Sequence, residues 1–199
     1  MRLLTLICCL TALVVGFAST ADATHGSVPA RTRVAIYAPF TPDGNLARGI
    51  TVVQRVRGSC WTGSEGDIRS DAWRCIVGDE ILDPCFSGAA GWVACPTLTS
   101  QYKIIRLNLT KPLPMRFADP PLNTNKSLPT TVTLARNVSC GFSGGATSTV
   151  AGLRLNYYCT NHAWLLGAPN RSSPLWTILY LPSRHATQAT SVTIYTARW

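Results

Sequence analysis

The residues from Gly141 to Gly145 carry the most recognisable catalytic pattern of this chain. They read Gly-Phe-Ser-Gly-Gly and fit G-x-S-x-G, the sharp turn that exposes a nucleophilic serine. Such a serine needs a histidine to accept its proton, and usually a carboxylate that orients the histidine. No acidic residue follows Asp119, and the only histidine before the motif is His25. The sequence therefore predicts a glycine-rich hairpin loop here rather than a hydrolase active site.

The acidic residues cluster in one stretch of the chain. Six of the nine lie there: Glu65, Asp67, Asp71, Asp79, Glu80 and Asp83. Calcium sites need about six to eight oxygen ligands at regular loop positions, and glycosidases need two opposed carboxylates, but neither spacing is recognisable. We expect instead that Asp71 and Asp83 pair with Arg69 and Arg74 and cap turns.

Metal and cofactor chemistry has little support in the sequence. The histidines His162 and His185 lie in turn-like segments and are predicted to be surface residues. The cysteines after residue 23 lack the C-x₂-C spacing of a zinc site, and no histidine lies near the first four of them. The chain shows no recognisable cofactor-binding motif, so neither a metal nor a cofactor is expected.

The N-terminus has the pattern of a secretory signal peptide. Met1 and Arg2 precede an apolar run that ends at Ala18, and small residues in an A-x-A pattern follow as far as Ala23. We expect residues 1–23 to be removed and the mature protein to be secreted, either extracellular or associated with the cell wall. No stable membrane insertion is expected after cleavage. An uncleaved N-terminal anchor is the alternative.

Six of the eight cysteines remain after this cleavage, in a chain bound for an oxidising compartment. An even number of cysteines there indicates a disulfide framework. We expect sequential pairing, because each bridge would then close a short segment that already carries turn residues. The expected pairs are Cys60–Cys75, Cys85–Cys95 and Cys140–Cys159. Each would stabilise the fold by about 3 kcal/mol through the entropy of the unfolded chain.

Positive charge dominates the C-terminal half. The chain has a formal net charge of +9, and basic residues continue to Arg198 although no acidic residue follows Asp119. Such a surface favours an anionic cell-wall polymer or glycan, because many weak contacts to phosphate or carboxylate groups add up. Nucleic acid fits the charge but is not expected outside the cell, and a positive excess without a specific target is the alternative. The candidate binding residues are Arg136, Arg154, Tyr158 and Arg171.

Several sequence motifs recur in a fixed order along the chain. They read SCW, SDAWRC and DPCF between residues 59 and 86, and RLNYYCT, AWLLG and RSSPLWT between residues 154 and 177. In these motifs the chain resembles a family of uncharacterised secreted proteins of actinobacteria, over roughly residues 56–180. The resemblance implies a secreted protein of bacterial origin, and it implies no particular activity, cofactor or catalytic residue.

The pattern of apolar residues predicts a mainly β protein. Residues 24–199 suffice for one secreted domain, in which residues 24–48 are expected to be loosely ordered. Alternation of apolar and polar residues predicts strands over 50–57, 102–110 and 191–199. Residues 131–140 and 153–159 are predicted to form the two arms of a hairpin. The segment 175–181 is apolar on both faces and is predicted to be a central strand covered on both sides.

The stretch from Gly58 to Pro96 holds four cysteines and three tryptophans, and it is predicted to be a turn-rich lobe stapled by disulfides. Within it, Ser70 is a candidate N-cap for a short helical turn that runs through Arg74 and ends at Cys75. The predicted fold is therefore an antiparallel sheet or sandwich with a short helical turn and this lobe.

These observations favour a non-catalytic function. The chain is predicted to be a secreted, disulfide-stabilised binding or structural module at the cell envelope, with a basic C-terminal half suited to anionic polymers. An extracellular hydrolase with an unrecognised active site is the alternative. A secreted effector or inhibitor that docks on another protein is a third interpretation.

Overall fold

The computed structural model describes residues 29–89, 91–115, 122, 124, 127–145 and 147–199. The predicted signal peptide, residues 1–23, lies outside the described residues. The strands in chain order are β1 (Arg33–Ala35), β2 (Thr51–Gly63), β3 (Ala72–Val77), β4 (Glu80–Ala89), β5 (Trp92–Thr97), β6 (Ser100–Leu109), β7 (Thr131–Thr133), β8 (Ser139–Phe142), β9 (Thr149–Val150), β10 (Leu153–Cys159), β11 (Trp164–Asn170), β12 (Thr177–Leu181), β13 (Thr190–Thr193) and β14 (Thr196–Arg198). A short 3-10 turn, Ala135–Asn137, lies between β7 and β8. The predicted mainly β fold is confirmed.

Strands β2 to β6 form a closed barrel, and they include the stretch that was predicted to be a turn-rich lobe. Each strand pairs antiparallel with the next one in the chain, and a parallel pairing of β2 with β6 closes the barrel. Its interior is filled by Trp73, Val93, Leu107 and the disulfides Cys60–Cys75 and Cys85–Cys95. The two bridges therefore form part of the apolar core.

The helical turn predicted after Ser70 is wrong, because Ala72–Val77 is strand β3. Trp73 and Cys75 both pack into the barrel core. Residues two apart share one face of a strand but lie on different faces of a helix, so only a strand buries both. The register also places Cys75 directly opposite Cys60, its disulfide partner.

The remaining strands form a second sheet in the order β1-β14-β7-β8-β10-β11-β12-β13, with β9 paired to β10. The sheet curls, because β13 at one end and β14 near the other are separated by only Ile194 and Tyr195. The curl encloses a core that includes Val132, Tyr157 and Trp199, all fully buried. Part of the segment predicted to be loosely ordered is structured, since β1 pairs in parallel with β14.

The predicted hairpin is present as β8 and β10, which the Cys140–Cys159 disulfide joins at opposed register positions. Its first arm is shorter than predicted, because β7 and β8 form a separate hairpin around the 3-10 turn. Strand β12 lies between β11 and β13, but its outer face is covered only in part: Leu181 is buried, whereas Leu179 is 36% exposed. The predicted double coverage is therefore confined to one end of the strand.

Candidate functional site

The G-x-S-x-G loop lies in a cleft of about 350 Å³ between the barrel and the curled sheet. Gly141 packs on the carbonyl of Leu98, and Gly144 packs on Asp83, so that a Cβ atom at either glycine would overlap its neighbour. Close packing of two backbones therefore accounts for these glycines. Ser143 lines the cleft, but His162 and His185 do not, and His25 lies outside the described residues. Within the described residues the cleft brings no imidazole to this serine.

One buried carboxylate, that of Asp83, lines the cleft next to this loop. Asp83 accepts hydrogen bonds from the Ser64 hydroxyl and the Glu65 amide, and Arg74 lies 3.9 Å from it. Arg69 pairs with Asp71 at 2.6 Å. The two predicted ion pairs are thus confirmed. Burial raises the pKa of Asp83 to about 6, because desolvation of the carboxylate outweighs the hydrogen bond from Ser64 and the charge of Arg74.

Asp67 is a second buried carboxylate, and its side chain, like that of Asp83, is 0% exposed. Its oxygens have no hydrogen-bond partner among the described residues, and Arg69 lies 3.7 Å away. Desolvation outweighs the attraction of Arg69 and raises the pKa of Asp67 to about 7. This carboxyl group is therefore poised to change its charge near neutral pH.

The stability of the protein is expected to fall as the pH rises from about 4 to about 7. Both carboxyl groups have folded-state pKa values of about 6 and 7, above the value of about 4 in an unfolded chain. Between these pH values the folded state therefore binds more protons than the unfolded chain. The contribution of the two protonated carboxyl groups to the free energy of unfolding is fully present below pH 4 and is lost above pH 7. Urea denaturation of Asp67→Asn across this range should show a flatter pH profile than that of the native protein. An equal slope in both proteins would contradict the assignment.

A second pocket, of about 340 Å³, opens at one end of the curled sheet, and we call it the tyrosine pocket. It is lined by Leu134, Ala135, Val138, Asn161, Tyr180, Ser191, Val192, Thr193 and Tyr195. The lining combines an aliphatic part with two half-buried tyrosines and with hydroxyl and amide groups. Asn161 donates a hydrogen bond from Nδ2 to the hydroxyl of Tyr180 at 3.0 Å. Such a mixture of apolar surface and a few polar groups is typical of small-ligand sites.

The Cys140–Cys159 disulfide positions two of the turns that form this pocket. Cys140 lies two residues after Val138, and Cys159 lies two residues before Asn161. The bridge joins β8 and β10 where both turns leave the sheet. It therefore links covalently the two turns that carry Val138 and Asn161.

An aromatic cluster adjoins the tyrosine pocket through the turn between β10 and β11. The hydroxyl of Tyr158 lies 2.6 Å from Nδ1 of His162, the residue after Asn161. The ring of Tyr158 also packs against Trp164, with centroids 4.9 Å apart. Tyr158 and Trp164 are partly exposed, so both rings are accessible to solvent.

The four predicted binding residues have different surroundings. Arg136 is exposed and lies between the lining residues Ala135 and Val138. Its φ of 56° and that of Asn137, 58°, are left-handed. Non-glycine residues in this region are uncommon and cluster at functional sites. Tyr158 lies in the aromatic cluster, so these two predicted residues flank the tyrosine pocket.

The other two predicted residues, Arg154 and Arg171, have backbone partners. Arg154 donates to the carbonyls of Ser143 and Gly145, each at 2.6 Å. Arg171 donates to two carbonyls of the segment before β7, and its guanidinium lies 4.9 Å from the ring centroid of Trp176. These bonds use the guanidinium groups to hold loops against the sheet.

The sequence interpretation missed most of the tyrosine pocket. None of Tyr180, Asn161 and Tyr195 was among the predicted binding residues. These residues come from segments that are distant in the sequence, and no local pattern marks them. Only the isolated polar residues of the β10–β11 turn offered a signal.

The surface around these sites is strongly basic. Among the described residues, the four ion pairs all involve Arg69 or Arg74. The remaining described cations have no carboxylate partner within 4 Å, and the chain carries a formal net charge of +9. Among the described residues, most of the arginine and lysine side chains therefore have no neighbouring carboxylate that neutralises their charge.

Together the fold and its pockets define an all-β protein in which a disulfide-stapled barrel is joined to a curled sheet that carries a tyrosine-lined pocket. No protein-family model, curated protein or solved structure matches the chain. In the parts of the chain that the structure describes, no helix is long and apolar enough to cross a membrane. The same parts contain no group of three or more His, Cys, Asp or Glu side chains that could hold a metal ion.

Proposed function

We propose that the protein is a secreted, non-catalytic binding module of the cell envelope, and that it takes an anionic glycan or polymer at the tyrosine pocket. The observation that carries this proposal is the pocket itself, which is lined by Tyr180, Tyr195 and Asn161. Arg136 does not line the pocket but lies beside it, on the turn between Ala135 and Val138. The proposal assigns the working surface to the C-terminal half of the chain.

The lining matches the chemistry of a sugar unit that bears an acidic group. Tyrosine rings present an apolar face to the C–H groups of a sugar. The hydroxyl of Tyr180, which accepts a hydrogen bond from Asn161, keeps its own proton to donate to a ligand. The side chains of Asn161, Ser191 and Thr193 add donors and acceptors for sugar hydroxyls. The guanidinium of Arg136 supplies the charge that attracts a carboxylate or phosphate group.

The location proposed for this activity follows from the chain's chemistry. Three disulfides suit an oxidising compartment, as does the predicted signal peptide. An anionic polymer of the wall or envelope is then the partner that a basic protein meets there, whereas nucleic acid is not expected. The resemblance to secreted actinobacterial proteins supports the same location.

Replacement of Tyr180 with alanine is expected to weaken binding to insoluble cell wall roughly tenfold, because a pocket aromatic typically contributes about 1 to 2 kcal/mol. Cosedimentation of the oxidised protein over a salt series measures the change.

Arg136→Gln should weaken binding and also reduce its salt dependence, since a contact to an anionic group is lost.

Arg184→Gln is the matched control, because it removes the same charge from an exposed loop that does not line the pocket. Walls stripped of anionic polymers serve as the second control. If Arg184→Gln weakens binding as much as Arg136→Gln, net charge rather than the pocket explains the binding. Unchanged binding of Tyr180→Ala would place the site elsewhere.

A further inference from the structure

The outer face of the barrel carries two arginines side by side. In the parallel pairing of β2 with β6, Arg55 lies directly opposite Arg106. Residues in register point to the same face of a sheet, and like charges in this position destabilise the pairing. The next residues, Val56 and Leu107, pack into the barrel core, so both arginines point outward. The barrel therefore maintains a repulsive pair on its surface.

The neighbouring positions do not neutralise this pair. Arg57 lies opposite Asn108, and Arg106 lies opposite Ala94 on its other side. Arg55 and Arg57 are exposed and, within the described part of the chain, neither has a carboxylate partner. Three cations thus share one face without an acidic side chain in register with any of them.

The guanidinium of Arg106 is held in place by its neighbours. Its Nε donates to Oδ1 of Asn108 at 3.1 Å, and the group lies 4.5 Å from the ring centroid of Trp92. Nδ2 of Asn108 in turn donates to the carbonyl of Val56 at 3.3 Å. These contacts leave the terminal nitrogens of Arg106 without a hydrogen-bond partner among the described residues. The guanidinium is oriented in advance for an anion, which lowers the entropy lost on binding.

The ring of Trp92 on this face is covered by the guanidinium of Arg106. Trp92 packs on Phe40 in an edge-to-face contact at 4.9 Å and also carries the guanidinium of Arg106. Ring stacking of a sugar or a base is therefore not the main interaction that this face provides. Adjacent guanidinium groups instead match the oxygens of phosphate, which they bind by paired hydrogen bonds.

Strand β2 places two exposed arginines, Arg55 and Arg57, in a row along one face. Its first half pairs with β6 alone, since β3 pairs only with residues from Ser59 onward. Arg55 and Arg57 share a face of this half and are spaced by two residues, about 7 Å. Successive anionic groups of a chain can therefore contact successive arginines.

We propose that this face of the barrel binds a polymer of repeating phosphate groups, with one phosphate bridging Arg55 and Arg106 and a neighbouring phosphate at Arg57. A bridging phosphate removes the repulsion that the register imposes. The site lies on the barrel and does not depend on the tyrosine pocket of the curled sheet.

Calorimetric titration of the oxidised full-length mature protein with linear polyphosphate of defined chain length tests this site. Arg55→Gln and Arg106→Gln are each expected to weaken binding about tenfold and to lower the slope of log K against log salt by about one. The control is Arg33→Gln, which removes an exposed cation from β1 of the other sheet and should change the affinity less than threefold. Polygalacturonate, a carboxylate polymer, should bind more weakly than polyphosphate of equal charge.

A stability measurement separates binding from a structural role. Because Arg55 and Arg106 repel each other, Arg55→Gln is expected to raise the urea midpoint without polyphosphate while it weakens polyphosphate binding. The proposal is overturned if polyphosphate does not bind, if Arg33→Gln weakens binding as much as Arg55→Gln, or if Arg55→Gln lowers the urea midpoint. Tyr180→Ala should retain polyphosphate binding, so that failure of the tyrosine pocket and failure of this site are distinguishable.

Discussion

Replacement of Arg69 with alanine is expected to lower the free energy of unfolding by about 3 to 5 kcal/mol at pH 8. The buried carboxylate of Asp67 lies 3.7 Å from Arg69 and has no hydrogen-bond partner among the described residues. Loss of Arg69 would leave this charge buried without compensation, and an unpaired buried charge is strongly destabilising.

Arg69 also ties the barrel to the curled sheet. Its Nη1 donates to the carbonyls of Tyr37, at 2.6 Å, and Trp199, at 3.1 Å. Its guanidinium lies 4.8 Å from the ring centroid of Phe86. These contacts join the β2–β3 connection and β4 of the barrel to the last residue of the chain. Cooperative unfolding of both parts is therefore expected to depend on this side chain.

Urea denaturation of Arg69→Ala measures the loss, with Arg48→Ala as the control for removal of an exposed arginine. The loss should be smaller at pH 5 than at pH 8, because Asp67, whose pKa is raised to about 7, is largely protonated at pH 5. Addition of Asp67→Asn to Arg69→Ala should recover part of the stability at pH 8. A change below about 1 kcal/mol at pH 8 would show that Arg69 does not compensate the buried charge.

Replacement of Cys140 and Cys159 with alanine is expected to lower the free energy of unfolding by about 3 kcal/mol, because the bridge closes a loop with a sequence separation of 19. It is also expected to weaken binding at the tyrosine pocket at temperatures where the variant remains folded. The two turns that carry Val138 and Asn161 would lose their covalent link, and the pocket would have to be ordered on binding.

The matched control is the double replacement of Cys60 and Cys75, which removes a bridge of similar separation, 15, from the barrel. Its loss of stability should be comparable, whereas binding at the tyrosine pocket should remain close to that of the native protein. Cosedimentation with cell wall at 10 °C, after circular dichroism has shown that both variants are folded, compares them. Equal loss of binding in the two variants would show that the Cys140–Cys159 bridge has no particular role at the pocket.

The disulfides and the strands were the most predictable features of this fold. Sequential pairing could be inferred because each bridge joins neighbouring strands, and short hairpins bring cysteines together that are close in the sequence. The alternation in 102–110 predicted β6 because one side of that strand faces the barrel core. The helical turn after Ser70 failed for the opposite reason: a local capping signal was overridden by the burial of Trp73 and Cys75 on one face of β3.

The candidate sites were less predictable, because their residues meet across long separations. Arg136 and Tyr158 were among the predicted binding residues, yet the pocket that they flank also needs Tyr180 and Tyr195 from the C-terminal part of the chain. Arg55 and Arg106 become neighbours only through the register of a parallel pair. A shift of that register by one residue would turn one of them into the barrel.

The amino-acid sequence alone was enough to establish a β-rich chain with three short-range disulfides and a large positive excess, because alternation, cysteine spacing and charge are properties of short segments or of composition. The partition of that charge depended on the tertiary structure. Arg69 is used for a contact with Trp199, 130 residues away, and Arg154 for the carbonyls of a loop, whereas Arg55 and Arg106 remain on the surface. The physical reason is that burial and hydrogen-bond partners are set by packing between distant segments. The residues next to an arginine in the sequence therefore do not indicate which group its guanidinium will contact.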